Sequence, residues 1–65
     1  MELTINGRAH RLEVRTVADV IAHFGLAGKA VVVEADGEIV DRDRWAEAEL
    51  RPHMKLELVH FVGGG

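Results

Sequence analysis

The side chains of this sequence offer little for chemistry, and the backbone offers one thing: a carboxyl group carried on three consecutive glycines, Gly63-Gly64-Gly65. There is no cysteine among the 65 residues, which removes thiolate nucleophiles, thiolate metal sites and disulfides together. The histidines, His10, His23, His53 and His60, show no i,i+4 pair and no metal-ligand spacing. The acidic residues Glu34, Asp36, Glu38, Asp41 and Asp43 lack the spacing of a calcium loop. Arg42 and Arg44 alternate with them, so they read as a solvated hairpin rim, and no metal is expected. What remains is Gly65. Glycine has no Cβ, so a run of three has the smallest possible cross-section and cannot form a core, which predicts a flexible tail over residues 63–65. Fully extended, residues 62 to 65 reach roughly 13–14 Å. Such a tail could thread a channel and present Gly65 to an active site buried in another protein. It would equally suit an inert chain end, and only the residues before it distinguish the two.

The composition favours a carrier, binder or regulator. A chain of 65 residues forms one domain at most. A domain that small buries only about 60% of the surface of its unfolded chain, leaving little room for an enclosed active site. The residues are 48% hydrophobic and 29% charged, which is globular, and the formal net charge of -3 argues against a nucleic-acid binder. No apolar run is long enough to span a bilayer. Met1-Glu2-Leu3-Thr4 lacks the basic start of a signal peptide, so a cytoplasmic protein is expected.

The elements that must position the tail follow from local patterns. Met1 to Ile5 alternates as a strand, with Leu3 and Ile5 on one face. Asn6-Gly7 predicts a tight hairpin turn, and His10 to Val14 a returning strand. Thr16 with Asp19 forms an acidic variant of the capping box. Val17, Val20, Ile21 and Phe24 then make one apolar stripe of a helix over residues 17–24, with Gly25 as its C-terminal stop. Residues 30–35 predict a Val-rich strand, Asp36-Gly37 a second hairpin turn, and residues 38–40 its partner. Between Asp41 and Leu50 a short helical turn is expected, capped by Asp41 or Asp43, with Trp45 covering one end of the core. Pro52 breaks the chain before a last strand, residues 54–62, in which Met54, Leu56 and Leu58 share a face.

Two hairpins flanking one helix, then a final strand, predict an α+β fold: a small mixed sheet with the helix packed across one face. This is the β-grasp, or ubiquitin-like, arrangement, in which the first and last strands lie parallel at the centre of the sheet. Residues 1–62 would form this domain, and residues 63–65 would project from a central strand. If Leu56 and Leu58 face the helix, Val59 and Phe61 point outward beside Glu57. Val32 joins them, because the middle residue of Val31-Val32-Val33 must face opposite its neighbours. Exposed apolar residues at the root of a tail suit docking, with Val62 completing the root.

The stretch His60-Phe61-Val62-Gly63-Gly64-Gly65 resembles the C-terminal signature of the ThiS family, sulfur carriers of thiamine biosynthesis. The likeness extends to Asn6-Gly7, to Val33-Glu34 with Gly37-Glu38-Ile39-Val40, to Arg44-Trp45 with Leu50, and to Glu57-Leu58-Val59. It covers essentially the whole chain. One departure stands before the last strand, where the family commonly has a Gly-Asp turn and this chain has Pro52-His53-Met54.

The resemblance implies a carrier that holds no cofactor and needs no catalytic side chain. An adenylyltransferase of the ThiF type would use ATP to convert the Gly65 carboxylate into an acyl-adenylate. Sulfur from cysteine, passed through a desulfurase and its persulfide, would then give a Gly65 thiocarboxylate. The tail would deliver that sulfur to thiazole synthase, ThiG. Gly63 and Gly64 would be the stalk, and Phe61 and Val62 the docking root. Three alternatives use the same features: a carrier of another pathway such as that of molybdopterin, a ubiquitin-like modifier joined to lysines, and an interaction module with an inert tail.

Overall fold

A computed structural model describes residues 1–62. The expected tail, Gly63 to Gly65, lies outside the described residues.

The chain begins with a hairpin of β1 (Glu2–Ile5) and β2 (Arg8–Arg11). Asn6 and Gly7 join them with φ of 51° and 80°. Two consecutive positive values are what a type I′ turn requires, and Asn and Gly are the residues that tolerate them. The turn sets the register, pairing Ile5 with Arg8 and Glu2 with Arg11. The second strand therefore lies two to three residues earlier than the expected 10–14. Beyond it Leu12 and Val14 continue as an extended connection, and both are buried. Leu12 still exchanges backbone bonds with Met1, its N–H on the Met1 carbonyl at 2.9 Å and the Met1 amino group on the Leu12 carbonyl at 2.6 Å, and the alternation of Leu12 with Val14 reports burial in the core.

Helix α1 (Val17–His23) starts at the capping box expected from the sequence. Asp19 N–H donates to Thr16 Oγ1 at 3.3 Å, and Thr16 N–H donates to Asp19 Oδ2 at 3.1 Å. The two preceding donors of the first turn also find partners. Val17 N–H bonds the Ala48 carbonyl and Ala18 N–H the Trp45 carbonyl, both at 3.0 Å. The far end closes with Gly25 at φ 68°, Gly25 N–H on the Ala22 carbonyl at 3.0 Å and Leu26 N–H on Ile21 at 2.9 Å. This is the left-handed glycine stop with its nested pair of bonds. Val17, Val20 and Ile21 are buried, but Phe24 is not part of the core stripe. It is the C-cap and stands at the surface, with the rings of His10 and His23 edge-on to it at 5.6 and 5.0 Å.

The second hairpin is β3 (Val31–Ala35) and β4 (Glu38–Val40), turned at Asp36-Gly37. A 3₁₀ turn (Arg42–Arg44) follows. Asp41 occupies its N-cap position without a side-chain hydrogen bond, and Asp43 lies inside the turn, so neither caps it as expected. Trp45 does cover the core end: it is buried, donates Nε1–H to the Val40 carbonyl at 3.0 Å, and carries the Arg42 guanidinium 5.1 Å from its ring. The last strand, β5 (Lys55–His60), runs through the middle of the sheet.

The strand order is β2-β1-β5-β3-β4. β5 is parallel to β1 and antiparallel to β3. The core lies between one face of this sheet and α1, and joins Leu3, Ile5, Val20, Val33, Trp45 and Leu56 among others. The mixed sheet with one helix across it is the expected β-grasp arrangement. No helix among the described residues is long and apolar enough to cross a membrane.

Candidate partner-docking site

The expected docking residues fall into a patch because of strand register. β3 and β5 pair so that Val32 stands directly opposite Val59. Directly opposed residues share a face, and this face is the one turned away from α1. Val31, Val33 and Leu56 fill the other face and are buried. Phe61 follows one step beyond β5, its N–H bonded to the Ala30 carbonyl at 2.9 Å, so the outward alternation persists to the edge of the described residues. Val32 is 39% exposed, Val59 49%, Phe61 56% and Val62 83%. The sheet thus brings Val32, Val59 and Phe61 together, while Val62 lies past the last ladder bond.

The sequence reasoning did not single out Ile39, which is 67% exposed and pairs with Glu34 on the same face. A three-residue strand on an edge gives too short an alternation to reveal which side Ile39 takes. Glu34 also stands opposite Glu57, so two carboxylates share one cross-strand position between Ile39 and the valine pair. Like charges placed this way cost an isolated sheet a fraction of a kcal/mol, about 0.2–1 in magnitude.

The end of β5 that leads to Phe61 and Val62 is also the end where the Asn6-Gly7 turn and the C-terminus of α1 meet. On the helix side of that end lies an open groove of about 400 Å³, bordered by Ile5, Arg8, Phe24, Leu26, Leu58 and His60. Its walls are mostly apolar. Asn6 closes its floor with two hydrogen bonds to β5. Leu58 N–H donates to Asn6 Oδ1 at 2.7 Å, and Asn6 Nδ2 donates to the Leu58 carbonyl at 3.2 Å.

The acidic residues of the second hairpin are partly structural. Asp36 accepts from Lys55 N–H at 2.9 Å and lies 3.8 Å from Arg51. Among the described residues no three His, Cys, Asp or Glu side chains gather into a metal site. Among the described residues the one displaced titration belongs to Asp19, whose carboxyl is held below the usual aspartate range. The Arg15 N–H is the larger cause, at 2.9 Å from Oδ2, and the Thr16 N–H the next. That is helix capping rather than site chemistry.

A small mixed sheet, one helix across it and an apolar patch at the exit of the central strand define a ubiquitin-like β-grasp protein. Comparison with known proteins narrows the class. The model of the ThiS family matches residues 3–65. The sulfur carrier protein ThiS of Bacillus subtilis is 38% identical over 65 residues, covering 97% of this chain and 98% of that protein. A crystal structure of the thiamine biosynthesis protein ThiS from Geobacter metallireducens superposes with a TM-score of 0.81 at 26% identity, covering all of both chains. A thiazole synthase of Magnetococcus marinus is 32% identical over 66 residues, spanning all of this chain but 20% of that protein. The chain belongs to the ThiS family.

Proposed function

We propose that this protein is a sulfur carrier of thiamine biosynthesis, with the Gly65 carboxyl as the group that holds the sulfur. The observation that carries the reading is the position of the patch: Val32, Val59 and Phe61 flank the exit of the central strand that leads to Gly63-Gly64-Gly65. A partner seated on that patch has the carboxyl within reach of the tail. Family membership and the 38% identity to a protein named sulfur carrier support the same reading.

The chemistry needs no side chain from this chain. A carboxylate is a poor acyl donor, because oxide would have to leave. Attack of the Gly65 carboxylate on ATP forms the acyl-adenylate and releases pyrophosphate. Hydrosulfide, or a persulfide followed by a reducing thiol, then displaces AMP and leaves a thiocarboxylate. A thiocarboxylate is ionised at neutral pH and is a soft nucleophile suited to sulfur donation. The adenylating partner is a ThiF-like adenylyltransferase fed by a desulfurase. The accepting partner is a thiazole synthase of the ThiG kind. The thiazole synthases of Magnetococcus marinus and Paramagnetospirillum magneticum each contain a segment similar to this whole chain over 20% of their length, which supports that pairing. The setting proposed is the cytoplasm, and this chain itself holds no cofactor.

The patch also indicates the partner's chemistry. Its apolar centre calls for an apolar surface, and the Glu34–Glu57 pair beside it would be relieved by a cationic rim. The deciding experiment is intact mass after incubation with the adenylyltransferase, ATP and sulfide. Replacement of one C-terminal oxygen by sulfur is the expected result. An unchanged mass without pyrophosphate release overturns the proposal.

A further inference from the structure

We propose that Asn6 is a positioning residue for the reaction at the tail: its carboxamide fixes the point from which the central strand carries the chain to Gly65. The inference rests on the carrier reading above and adds a residue far from Gly65 in sequence.

The argument starts from the ladder between β1 and β5. Thr4 N–H bonds the Met54 carbonyl at 3.0 Å and Asn6 N–H bonds the Leu56 carbonyl at 2.9 Å. The next rung of a parallel ladder would join Leu58 N–H to the Asn6 carbonyl. The backbone cannot supply it, because Asn6 has turned away with φ 51° to begin the hairpin. The Asn6 side chain takes its place. Oδ1 accepts from Leu58 N–H at 2.7 Å and Nδ2 returns a bond to the Leu58 carbonyl at 3.2 Å. One carboxamide thus imitates a peptide group and lengthens the ladder by one residue after the strand has ended. Among the described residues, β5 past Leu58 is held on the β3 side alone, through the Val31–His60 pair and the Phe61 bond to Ala30.

Two requirements select asparagine. The position needs a residue that tolerates positive φ, which Asn does and β-branched or long residues do not. It also needs an acceptor and a donor on one short planar head. Aspartate keeps the acceptor but sets a second acceptor against the Leu58 carbonyl. Glycine keeps the turn and loses both bonds.

The consequence is mechanical. At roughly 3.3–3.6 Å per residue, the chain from Leu58 to Gly65 reaches at most about 24 Å. An error of direction at Leu58 shifts the point from which the glycines leave the domain. The patch that seats the partner lies on the β3–β5 pair, whose Val32–Val59 pairing and Phe61 bond to Ala30 remain when Asn6 is changed. Loss of the clamp should therefore spare docking and impair presentation of Gly65.

The second hairpin supplies a matched control. Asp36 also begins a turn with positive φ, 49°, and also bonds β5, accepting from Lys55 N–H at 2.9 Å. It holds the start of β5, the end away from the tail. Asn6→Gly and Asp36→Gly each remove a turn side chain from β5 without forcing the backbone. Pyrophosphate release by the adenylyltransferase, with ATP and sulfide, is measured against carrier concentration for the full chain and both variants. Asn6→Gly is expected to lower kcat about five- to tenfold with KM within twofold, a modest effect beside the roughly hundredfold cost of a 1 Å misplacement. Asp36→Gly is expected to lower thermal stability and leave kcat within twofold. Amide exchange should rise at Leu58 to His60 in Asn6→Gly, and Asn6→Asp should fall between it and the unaltered chain. Equal kcat for Asn6→Gly and the unaltered chain, equal losses for the two glycine variants, or a change in KM alone overturns the inference. Absence of turnover with the unaltered chain overturns the carrier reading, and this inference with it.

Discussion

Truncating Phe61 to alanine should separate docking from folding. A phenylalanine side chain offers about 200 Å² for burial. With Phe61 56% exposed, roughly 110 Å² of that remains for a partner to cover. At about 25 cal/mol per Å², full coverage contributes about 2.8 kcal/mol, of which an alanine retains a part. A loss of about 2 kcal/mol is about thirtyfold in Kd. The domain itself should barely respond. The Phe61 N–H bond to Ala30 uses backbone atoms and survives the change. Surface truncations away from caps and networks cost within about 0.5 kcal/mol, so Tm should move by less than about 4 °C. Calorimetric titration against the adenylyltransferase gives Kd, and a thermal melt of the free variant gives Tm. Since no charge is removed, the ratio of the two Kd values should hold as salt is raised. A Kd within threefold of the unaltered chain would refute the placement of the docking patch. So would a Tm loss of 10 °C or more, by showing that Phe61 belongs to the core.

Three further outcomes test the fold that carries the patch. Trp45→Phe keeps an aromatic ring at the core end but removes the Nε1 bond to Val40 and part of the buried indole volume; a loss of about 1–3 kcal/mol is expected, seen as a Tm lower by at least about 4 °C with partner Kd unchanged. His53 sits at φ 69° with its N–H on the Glu2 carbonyl at 2.6 Å, a conformation that costs a side-chain residue about 1–2 kcal/mol. After the greater flexibility of unfolded glycine is subtracted, His53→Gly should gain about 0.5–1 kcal/mol, read from the urea midpoint. The Asp19 carboxyl titrates below the ordinary aspartate value because the Arg15 and Thr16 N–H groups stabilise its anion. Its contribution is therefore complete above the unfolded value of about 4 and is lost as pH falls through that value towards the folded one. Asp19→Asn should flatten the acid limb of a urea-midpoint profile while leaving its shape above about pH 5 unchanged; an identical acid limb would refute the capping account.

The patterns that could be read from sequence were those carried by two or more side chains acting together. Thr16 with Asp19 announced the helix start, and Asn6-Gly7 and Asp36-Gly37 announced the hairpins. Alternation in Leu56, Leu58, Val59 and Phe61 announced which way the last strand faces. What was hidden rests on register and on single side chains reaching across the fold. Arg8 to Arg11 shows no apolar alternation, because β2 is an edge strand with little to bury. The turn geometry alone places it, and Leu12 and Val14 drew the expected strand too far along. Phe24 completed a helical stripe on paper, but the glycine stop lifts it to the surface. His53 holds φ 69°, a conformation glycine adopts far more readily, which no side-chain pattern in the sequence announces.

Asn6 and Asp36 show why turn residues are easily underread. Both were legible as residues that permit positive φ, and that is only half of what they do. A hairpin turn at the end of a strand leaves the neighbouring strand one rung short. In this fold the neighbour is in both cases β5, the strand that leads to the glycines. Asp36 completes its pairing at Lys55 and Asn6 completes it at Leu58. An edge strand could not be held this way, since it has a neighbour on one side only. The central position of β5, between a parallel β1 and an antiparallel β3, places both hairpin turns beside it, one at each end. A domain of 65 residues with a thin core has few other means of stiffening one strand. Docking on the outer face and clamping at the turns then act on the same strand from independent sets of residues, so substitutions at Phe61 and at Asn6 should multiply in their effect on kcat/KM.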